Sequence, residues 1–568
     1  MTLRPRLIAV PAALAAAAAV LVPGLAQPPT AGSADGTIST FAGTVPGFLD
    51  GPPDIAKLKT PEDVAANPAS GQYQGTLIAD TGNNAIRLFD TSNTIVTKAG
   101  DGTDGFGGDG GDATNAQLSR PSAVAPTPDG SFLIADTGNN RIRRVDVATG
   151  NISTVAGTGT QGVAGDGGPA TAAQLDAPTD VVPAPGGGYF VADSGNGRVR
   201  FVSASGTITT FAGTTPGYSG DGGKAAAAQL SQPRKLSLAP DGAVLIADTG
   251  NARVRRVDAG GTITTVAGGQ LGFAGDGGQA KSAALSQPSD VIPLSNGGFL
   301  IADTGNNRVR RVTPLGTIFT IAGSTAGSGG DGGPASQAQL NQPEALTRTP
   351  NGGVIITDTA NSRVRVTTDT GQLPDPKLTK SIGVVPLGAG ISVQPTGAPA
   401  PIALREPDLA PNGSAFNASQ ATVQVTLQAS TSGDKAQMKF AEGAFRLKQN
   451  TGTRPITDVT LNGPLTCTAG HAAGKGRAAS LQARSAARKR NRRVWGRGKG
   501  RFRTRGRYAS ALVRGTWWLT EDRCDGTLVK VREGKVEVRD LAKRKTVFVT
   551  KGKFYFARKP VPKRRAQR

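Results

Sequence analysis

The chain is poor in the residues that most often perform nucleophilic or metal-assisted catalysis. Its 568 residues include one histidine and two cysteines. His471, Cys467 and Cys524 all lie towards the C-terminal end, so a Ser-His-Asp or Cys-His arrangement is excluded from the preceding part of the chain. Two cysteines are also too few for a thiolate zinc site.

Long apolar runs are equally scarce. The clear example, residues 7–22, follows two arginines and precedes the small residues Gly24 and Ala26, which predicts a secretory signal peptide over residues 1–26. A retained membrane anchor is the alternative. No cysteine follows this run, which excludes a lipid anchor on an N-terminal cysteine, and no other run is long and apolar enough to span a bilayer. We therefore expect a secreted or envelope-associated protein.

The even number of cysteines bears on this expectation. In an exported chain it favours a disulfide between Cys467 and Cys524, with two unpaired thiols as the alternative.

Acidic residues become rare at the C-terminal end. Residues 475–568 hold 31 Lys and Arg against 6 Asp and Glu, whereas the rest of the chain holds 33 against 35. Interleaved basic and aromatic residues can bind phosphates and stack rings. We therefore expect an anionic cell-wall polymer or a membrane surface as partner, and not nucleic acid; a solvated charge run is the alternative. The polyanion-binding candidates are Lys489, Arg490, Arg492, Arg493, Arg497, Lys499, Arg501, Arg503, Arg505 and Arg507.

A regular repeat occupies residues 36–372. An apolar run ends in aspartate at Asp80, Asp136, Asp193, Asp248, Asp303 and Asp358, in steps of 56, 57, 55, 55 and 55 residues. Each unit contains four short apolar or β-branched runs separated by turns rich in Gly, Asn and Asp. Four antiparallel strands per unit predict the blade of a β-propeller.

The fourth strands indicate how the ring closes. Five units end in a run of the type TIxTxAG, but the sixth enters a linker without one. A copy of this run at residues 36–43 precedes the first unit. The sequence therefore predicts an all-β protein, in which a six-bladed propeller is closed by an N-terminal strand and followed by an antiparallel β domain.

Residues 135–145, ADTGNNRIRRV, and 302–312, ADTGNNRVRRV, resemble the central run of NHL repeats. The resemblance covers residues 36–372, about 60% of the chain, and extends to the glycine-rich inserts of exported bacterial members. It implies a propeller and leaves the activity open. Members that bind RNA use a basic face, and the lyase branch uses histidine-bound zinc. Neither feature is present in these residues.

The inserts between blades are expected to share one face of the disc with the ADTGN turns. They carry Asp109, Asp166, Asp221, Asp276 and Asp331, whereas the first insert departs from this pattern. Carboxylates and carbonyls could bind Ca²⁺, and no other cofactor is expected. The favoured interpretation is turn chemistry, because each insert supplies a single carboxylate of this type.

The residues at the start of the first strands vary between blades and should face the channel mouth. Glu62 and Glu344 lie on blades that become neighbours on closure, and Arg234 and Lys235 lie across the ring. Such a site could hold a zwitterionic ligand or a cation; a solvated channel with unrelated charges is the alternative.

The C-terminal region is divided into a linker (373–379), a first β part (380–465), a basic Gly/Arg-rich segment (466–513), β hairpins (514–559) and a basic tail (560–568). The alternating runs at 529–531, 536–538 and 547–549 resemble a FecR-like domain. Signalling is not implied, because a second membrane span is absent from the sequence.

These features favour a non-catalytic extracellular or cell-envelope binding protein. Its propeller would bind a protein or glycan, and its basic region would hold the envelope. A hydrolase or lyase that uses a carboxylate-bound metal at Glu62 and Glu344 is the alternative, and a sensor is the third hypothesis.

Overall fold

The computed structural model describes residues 36–67, 74–349, 352–368, 380–387, 389–396, 398, 400–428, 435–451, 456–462, 492–523 and 525–560. The predicted signal peptide, the linker 373–379, Cys467, Cys524, His471 and nearly all of the basic tail lie outside these residues. Over the described ranges, no helix combines the length and the apolar character needed to cross a membrane.

Residues up to Thr367 form six four-stranded antiparallel sheets, which are the blades of a propeller. The strands of blade one are Asp63–Asn67, Gly75–Asp80, Ala85–Asp90 and Ile95–Ala99; of blade two, Pro121–Pro126, Phe132–Asp136, Arg141–Val145 and Ile152–Ala156; of blade three, Pro178–Pro183, Tyr189–Asp193, Arg198–Val202 and Ile208–Ala212; of blade four, Pro233–Leu238, Val244–Asp248, Arg253–Val257 and Ile263–Gly268; of blade five, Pro288–Pro293, Phe299–Asp303, Arg308–Val312 and Ile318–Ala322; of blade six, Pro343–Arg348, Val354–Asp358, Arg363–Thr367 and Ile38–Ala42.

The sixth blade confirms the predicted closure. Ile38–Ala42 pairs antiparallel with Arg363–Thr367, with Ile38 opposite Thr367 and Ser39 opposite Val366. The N-terminal strand therefore supplies the outer strand that the sixth repeat lacks, so that each blade has four strands.

Local sequence explains the tight turn between the second and third strands. In blade five, Thr304–Asn306 forms one 3₁₀ turn, and Asn307 then adopts a left-handed conformation with φ of 54°. Asparagine tolerates this conformation better than most residues. The Thr304 hydroxyl donates to the carbonyl of Pro343 at 2.6 Å, so the turn also fixes the neighbouring blade.

Apolar side chains from adjacent blades form the cores between them. One such cluster joins Leu133 and Ala135 of blade two to Val181 and Val191 of blade three, all nearly inaccessible to solvent. The first strands of adjacent blades contact one another around the axis, which places their variable residues at the channel.

A separate sheet with thirteen described strands forms the C-terminal part of the chain. Its core includes Phe416, Phe440, Phe445, Phe502 and Trp518. The strands are Ser381–Leu387, Ser392–Gln394, Ile402–Ala403, Asp408–Pro411, Ala415–Gln428, Lys435–Gln449, Thr457–Leu461, Arg492–Arg505, Ala509–Arg523, Gly526–Glu533, Lys535–Asp540, Lys545–Thr550 and Phe554–Arg558.

The sheet is antiparallel except where Thr457–Leu461 runs parallel to Arg492–Arg505. The predicted boundary between residues 513 and 514 falls inside the strand Ala509–Arg523, which pairs with Arg492–Arg505. The described end of the basic segment is therefore part of the sheet.

The two parts of the chain are in direct contact. Leu315 of blade five is buried in the core of the C-terminal sheet. Its backbone N–H donates to Asp408 at 3.3 Å, and the hydroxyl of Thr317 donates to the carbonyl of Leu409 at 2.5 Å.

Candidate functional site

Each blade contains the same buried ion pair. The aspartate that ends the second strand contacts the arginine that lies seven residues later, in the third strand. The distances between their side chains range from 2.8 to 3.7 Å, and both side chains are inaccessible to solvent. Burial raises the pKa of Asp303, whose carboxylate accepts hydrogen bonds from the Ser286 N–H and from Asn306 and Arg310. The repeated aspartates therefore pair with an arginine of the next strand in their own blade.

The insert aspartates bind the same arginines from the other side. Asp166 accepts hydrogen bonds from Arg200 at 2.6 Å and from the hydroxyl of Thr210 at 2.6 Å. The first insert, expected to depart from the pattern, supplies Asp50 in the equivalent role against Arg87. The contacts at Asp109, Asp221, Asp276 and Asp331 repeat this arrangement. In the described ranges, no three His, Cys, Asp or Glu side chains group as they would around a metal ion.

Three of the predicted mouth residues meet across the axis. The Arg234 guanidinium of blade four lies 2.9 Å from Glu344 of blade six and 3.4 Å from Glu62 of blade one. All three side chains remain partly accessible. Burial raises the pKa of Glu62, and the nearby Glu344 carboxylate acts in the same direction, while Arg234 opposes both. The guanidinium occupies the position between the carboxylates that a metal ion would require.

Lys235 lies deeper than expected, because successive residues of a strand point in different directions. Its ammonium group is 2.7 Å from Asp63 and 3.7 Å from Asp180, and it donates to the carbonyl of Ser122 at 3.1 Å. Lys235 therefore also crosses the axis. With Arg234 it places paired charges in the channel, in contrast to the alternative of unrelated charges.

The aspartates around Lys235 also join adjacent blades. Asp180 and Asp290 each accept a backbone N–H of the following blade at 2.7 Å, from Leu236 and Leu346 respectively. Burial raises the pKa of Asp290 to about 7 and that of Asp180 to about 6, although Lys235 acts in the opposite direction. Burial lowers the pKa of Lys235, but the neighbouring carboxylates outweigh this effect and raise it overall.

A ring of exposed apolar side chains surrounds the mouth on the insert face, the face that carries the inserts and the ADTGN turns. The equivalent insert residues Phe48, Phe106, Val163, Tyr218 and Phe273 are between 40% and 47% exposed. The sequence interpretation missed them. A signal for these side chains was present in the sequence. One equivalent position in each insert lies directly after a glycine with positive φ, and the residue at this position is apolar in five inserts and serine in the sixth.

Arginines support the aromatic members of this ring. The guanidinium of Arg141 lies 3.7 Å from the ring centroid of Phe106, and that of Arg253 lies 3.8 Å from the centroid of Tyr218. Such cation–π contacts hold the rings in place while leaving one side of each ring accessible.

The polyanion-binding candidates separate into different environments. Arg493, Arg497 and Arg507 are exposed, and Arg501 is half-buried. Arg503 and Arg505 instead bind Asp458 at 2.6 and 3.1 Å. Lys489 and Arg490 lie outside the described residues, whereas Arg492 and Lys499 lie in the strand Arg492–Arg505.

Two tryptophans complete the basic face of the C-terminal sheet. Trp495 and Trp517 lie 6.2 Å apart in an edge-to-face arrangement, and the guanidinium of Arg532 is 4.7 Å from each ring centroid. Arg497 contacts the Trp517 ring at 5.1 Å. This arrangement offers both charge and ring surfaces to a polymer.

The blades, their repeated ion pairs and the closure strand define a six-bladed propeller that is joined to a mainly antiparallel sheet. No family model matches the chain. It is 28% identical over 343 residues to Protein SUPPRESSOR OF QUENCHING 1, chloroplastic, of Arabidopsis thaliana, covering 56% of this chain and 32% of that protein. It is 26% identical over 323 residues to NHL repeat-containing protein 2 of Homo sapiens, covering 51% and 44%.

The chain therefore spans less than half the length of these relatives. Among solved structures, it is similar to an auxiliary nutrient binding protein from Bacteroides ovatus, with a TM-score of 0.45, 18% identity and coverage of 59% and 76%. It is also similar to a streptogramin B lyase, with a TM-score of 0.36, 12% identity and coverage of 59% and 98%.

Proposed function

We propose that the protein is a non-catalytic binding protein of the extracellular space or cell envelope. Its insert face would bind a protein or glycan. The observation that carries this proposal is the ring of half-exposed apolar side chains around the charged mouth. Exposed apolar side chains that recur on one face beside charged groups are consistent with an interaction site.

The mouth residues would supply the polar part of this site. Arg234, Glu62 and Glu344 are partly accessible and already paired. A ligand with both charged and neutral polar groups can exchange partners with this triad without leaving a buried charge unpaired. Lys235 and the aspartates below it would support the site from inside the channel.

The basic face of the C-terminal sheet would hold the protein to anionic envelope polymers. Arg493, Arg497 and Arg507 are the exposed candidates outside the Asp458 ion pairs, and Arg497 lies 3.8 Å from Glu533. Export of the chain, the FecR-like resemblance and the disulfide remain part of this proposal.

Binding to isolated wall sacculi, with and without their anionic polymers, tests both surfaces. The combined substitutions Arg493→Gln, Arg497→Gln and Arg507→Gln should weaken retention at low salt at least tenfold, because exposed charges bind polyanions through counterion release. The matched control removes three exposed charges of the same sheet, at Lys543, Arg544 and Lys545, and should change retention less than threefold.

The insert face needs its own variant. Substituting Phe106, Tyr218 and Phe273 by alanine should abolish the retention that survives high salt, with an unchanged circular dichroism spectrum. If both triple variants are retained like the unaltered protein, the proposed function is wrong.

A further inference from the structure

The fifth blade breaks a pairing that blades two and four keep. In those blades an arginine of the third strand binds the aspartate of the first turn: Arg144 lies 2.5 Å from Asp129, and Arg256 lies 2.5 Å from Asp241. The two members of each pair are fifteen residues apart. In blade five the same spacing joins Arg311 to Asn296, which carries no negative charge. Arg311 therefore lacks the carboxylate partner of its counterparts.

Arg311 forms no ion pair in the described part of the chain. Its Nε atom is buried without a hydrogen-bond partner, as are those of Arg87, Arg255 and Arg365, but the terminal nitrogens of those three arginines contact carboxylates. Among the described residues no carboxylate lies within ion-pair distance of the Arg311 guanidinium, so its terminal nitrogens can donate to an acceptor from outside the chain.

Arg311 lines a groove where blade five meets the C-terminal sheet. The groove has a volume of about 570 Å³ and is also lined by Ser295, Asn296, Thr313 and Glu406. Volumes of this order are typical of small-molecule sites. Polar side chains thus surround the arginine, and the groove lies at the end of the blade opposite the channel mouth.

The carboxylates of this groove compensate Arg311 only in part. Asp408 accepts the backbone N–H groups of Leu315 and Leu409; burial raises its pKa to about 6, and Arg311 acts on it electrostatically in the opposite direction without forming an ion pair. Glu406 is exposed at the rim. On the other wall, Arg348 adds a positive charge while donating to the carbonyl of Gly352 at 2.9 Å.

We propose that this groove binds the oxyanion of a small hydroxylated molecule, a carboxylate or a phosphate carried by a compound of sugar size. Arg311 binds the oxyanion, since a guanidinium donates two parallel hydrogen bonds to a carboxylate or phosphate. Ser295 and Asn296 bind the hydroxyl groups. The site is distinct from the insert face and does not depend on the function proposed for it.

Calorimetric titration of the full chain tests this site with three probes: D-glucuronate, glucose 6-phosphate and, as a neutral control, glucose. One or both anions should bind with a stoichiometry of one, and glucose should not. Which anion binds separates the carboxylate from the phosphate source. Arg311→Gln should weaken binding at least tenfold. The matched variant Arg256→Gln, which removes the equivalent arginine of blade four, should change affinity less than twofold.

A second variant keeps the test independent of folding defects. Asn296→Asp restores the carboxylate that blades two and four place opposite this arginine. It should raise the melting temperature and at the same time abolish anion binding, because Arg311 then has an internal partner. The proposal is refuted if neither anion binds the unaltered protein, if Arg311→Gln and Arg256→Gln behave alike, or if Asn296→Asp binds as tightly as before.

Discussion

Replacing Lys235 by methionine removes the ammonium group that compensates the carboxylates in the propeller axis. The ammonium lies 2.7 Å from Asp63 and 3.7 Å from Asp180, and its side chain is nearly inaccessible. Removing one member of a buried ion pair costs about 3–5 kcal/mol, since the remaining charge stays desolvated without a partner. Methionine has a similar length, so the loss of packing should be small. We expect a loss of about 3–5 kcal/mol in the free energy of unfolding of the propeller at pH 8.

The loss should depend on pH. In the folded protein the pKa of Asp290 is about 7 and that of Asp180 about 6, whereas unfolded aspartate has a pKa of about 3.9. Between these values the folded state binds more protons, so stability present at low pH is lost as pH rises through the folded pKa, by about 1.4 kcal/mol per pH unit for each group. At pH 5 both carboxyls are largely neutral, and Lys235→Met should cost about half as much as at pH 8.

Urea denaturation followed by circular dichroism measures this loss. The three tryptophans, at positions 495, 517 and 518, all lie in the C-terminal sheet. Tryptophan fluorescence therefore reports unfolding of that sheet, and a dichroism change without a fluorescence change belongs to the propeller. Arg234→Met is the matched control, because its partly exposed ion pairs should contribute about 1 kcal/mol or less. An equal loss for Lys235→Met at pH 5 and pH 8, or a loss below that of the control, would refute the reasoning.

Two further variants test the scaffold. Deleting residues 36–43 should broaden the thermal transition and promote association between chains, because the strand Arg363–Thr367 becomes an exposed edge; an unchanged transition in a monomer would exclude the closure role. Asp303→Asn should destabilise the propeller by about 3 kcal/mol in urea, since the buried Arg310 guanidinium then keeps only the partly exposed Asp276 as a charged partner. Asp129→Asn, in an exposed pair, should cost about 1 kcal/mol or less, and equal effects would contradict the role of burial.

Much of the fold could be predicted from the sequence because the same pattern of strands and turns occurs in six repeat units. The spacing of the aspartates gave the number of blades, and the isolated run at residues 36–43 gave the closure. In the C-terminal part there is no repeat. Strands there were recognisable by alternation, but alternation does not specify partners, so the parallel pairing of Thr457–Leu461 with Arg492–Arg505 had no signal in the sequence.

The sequence predicted which residues form the candidate site better than it predicted how deeply each side chain is buried. The sequence indicated that Glu62, Arg234 and Glu344 would meet, because the topology places equivalent positions around one axis. It did not indicate that Lys235 is buried, since this depends on the direction of one side chain relative to the axis. The apolar ring was also missed, because its members lie in inserts where glycine and aspartate dominate the pattern.

A residue that departs from the repeat pattern indicates stability or binding, depending on whether another residue of the chain replaces the contact that is lost. In blade four, Arg234 and Lys235 replace small or acidic residues, and carboxylates of other blades pair with both, so that change is compensated inside the chain. In blade five, Asn296 replaces an aspartate, and Asp408 of the C-terminal sheet acts on Arg311 electrostatically without forming an ion pair with it. A compensated departure adds stability or shape, whereas an uncompensated one retains a cost that a bound ligand can relieve. The groove at Arg311 is therefore a stronger indication of binding than the more conspicuous charges of the channel.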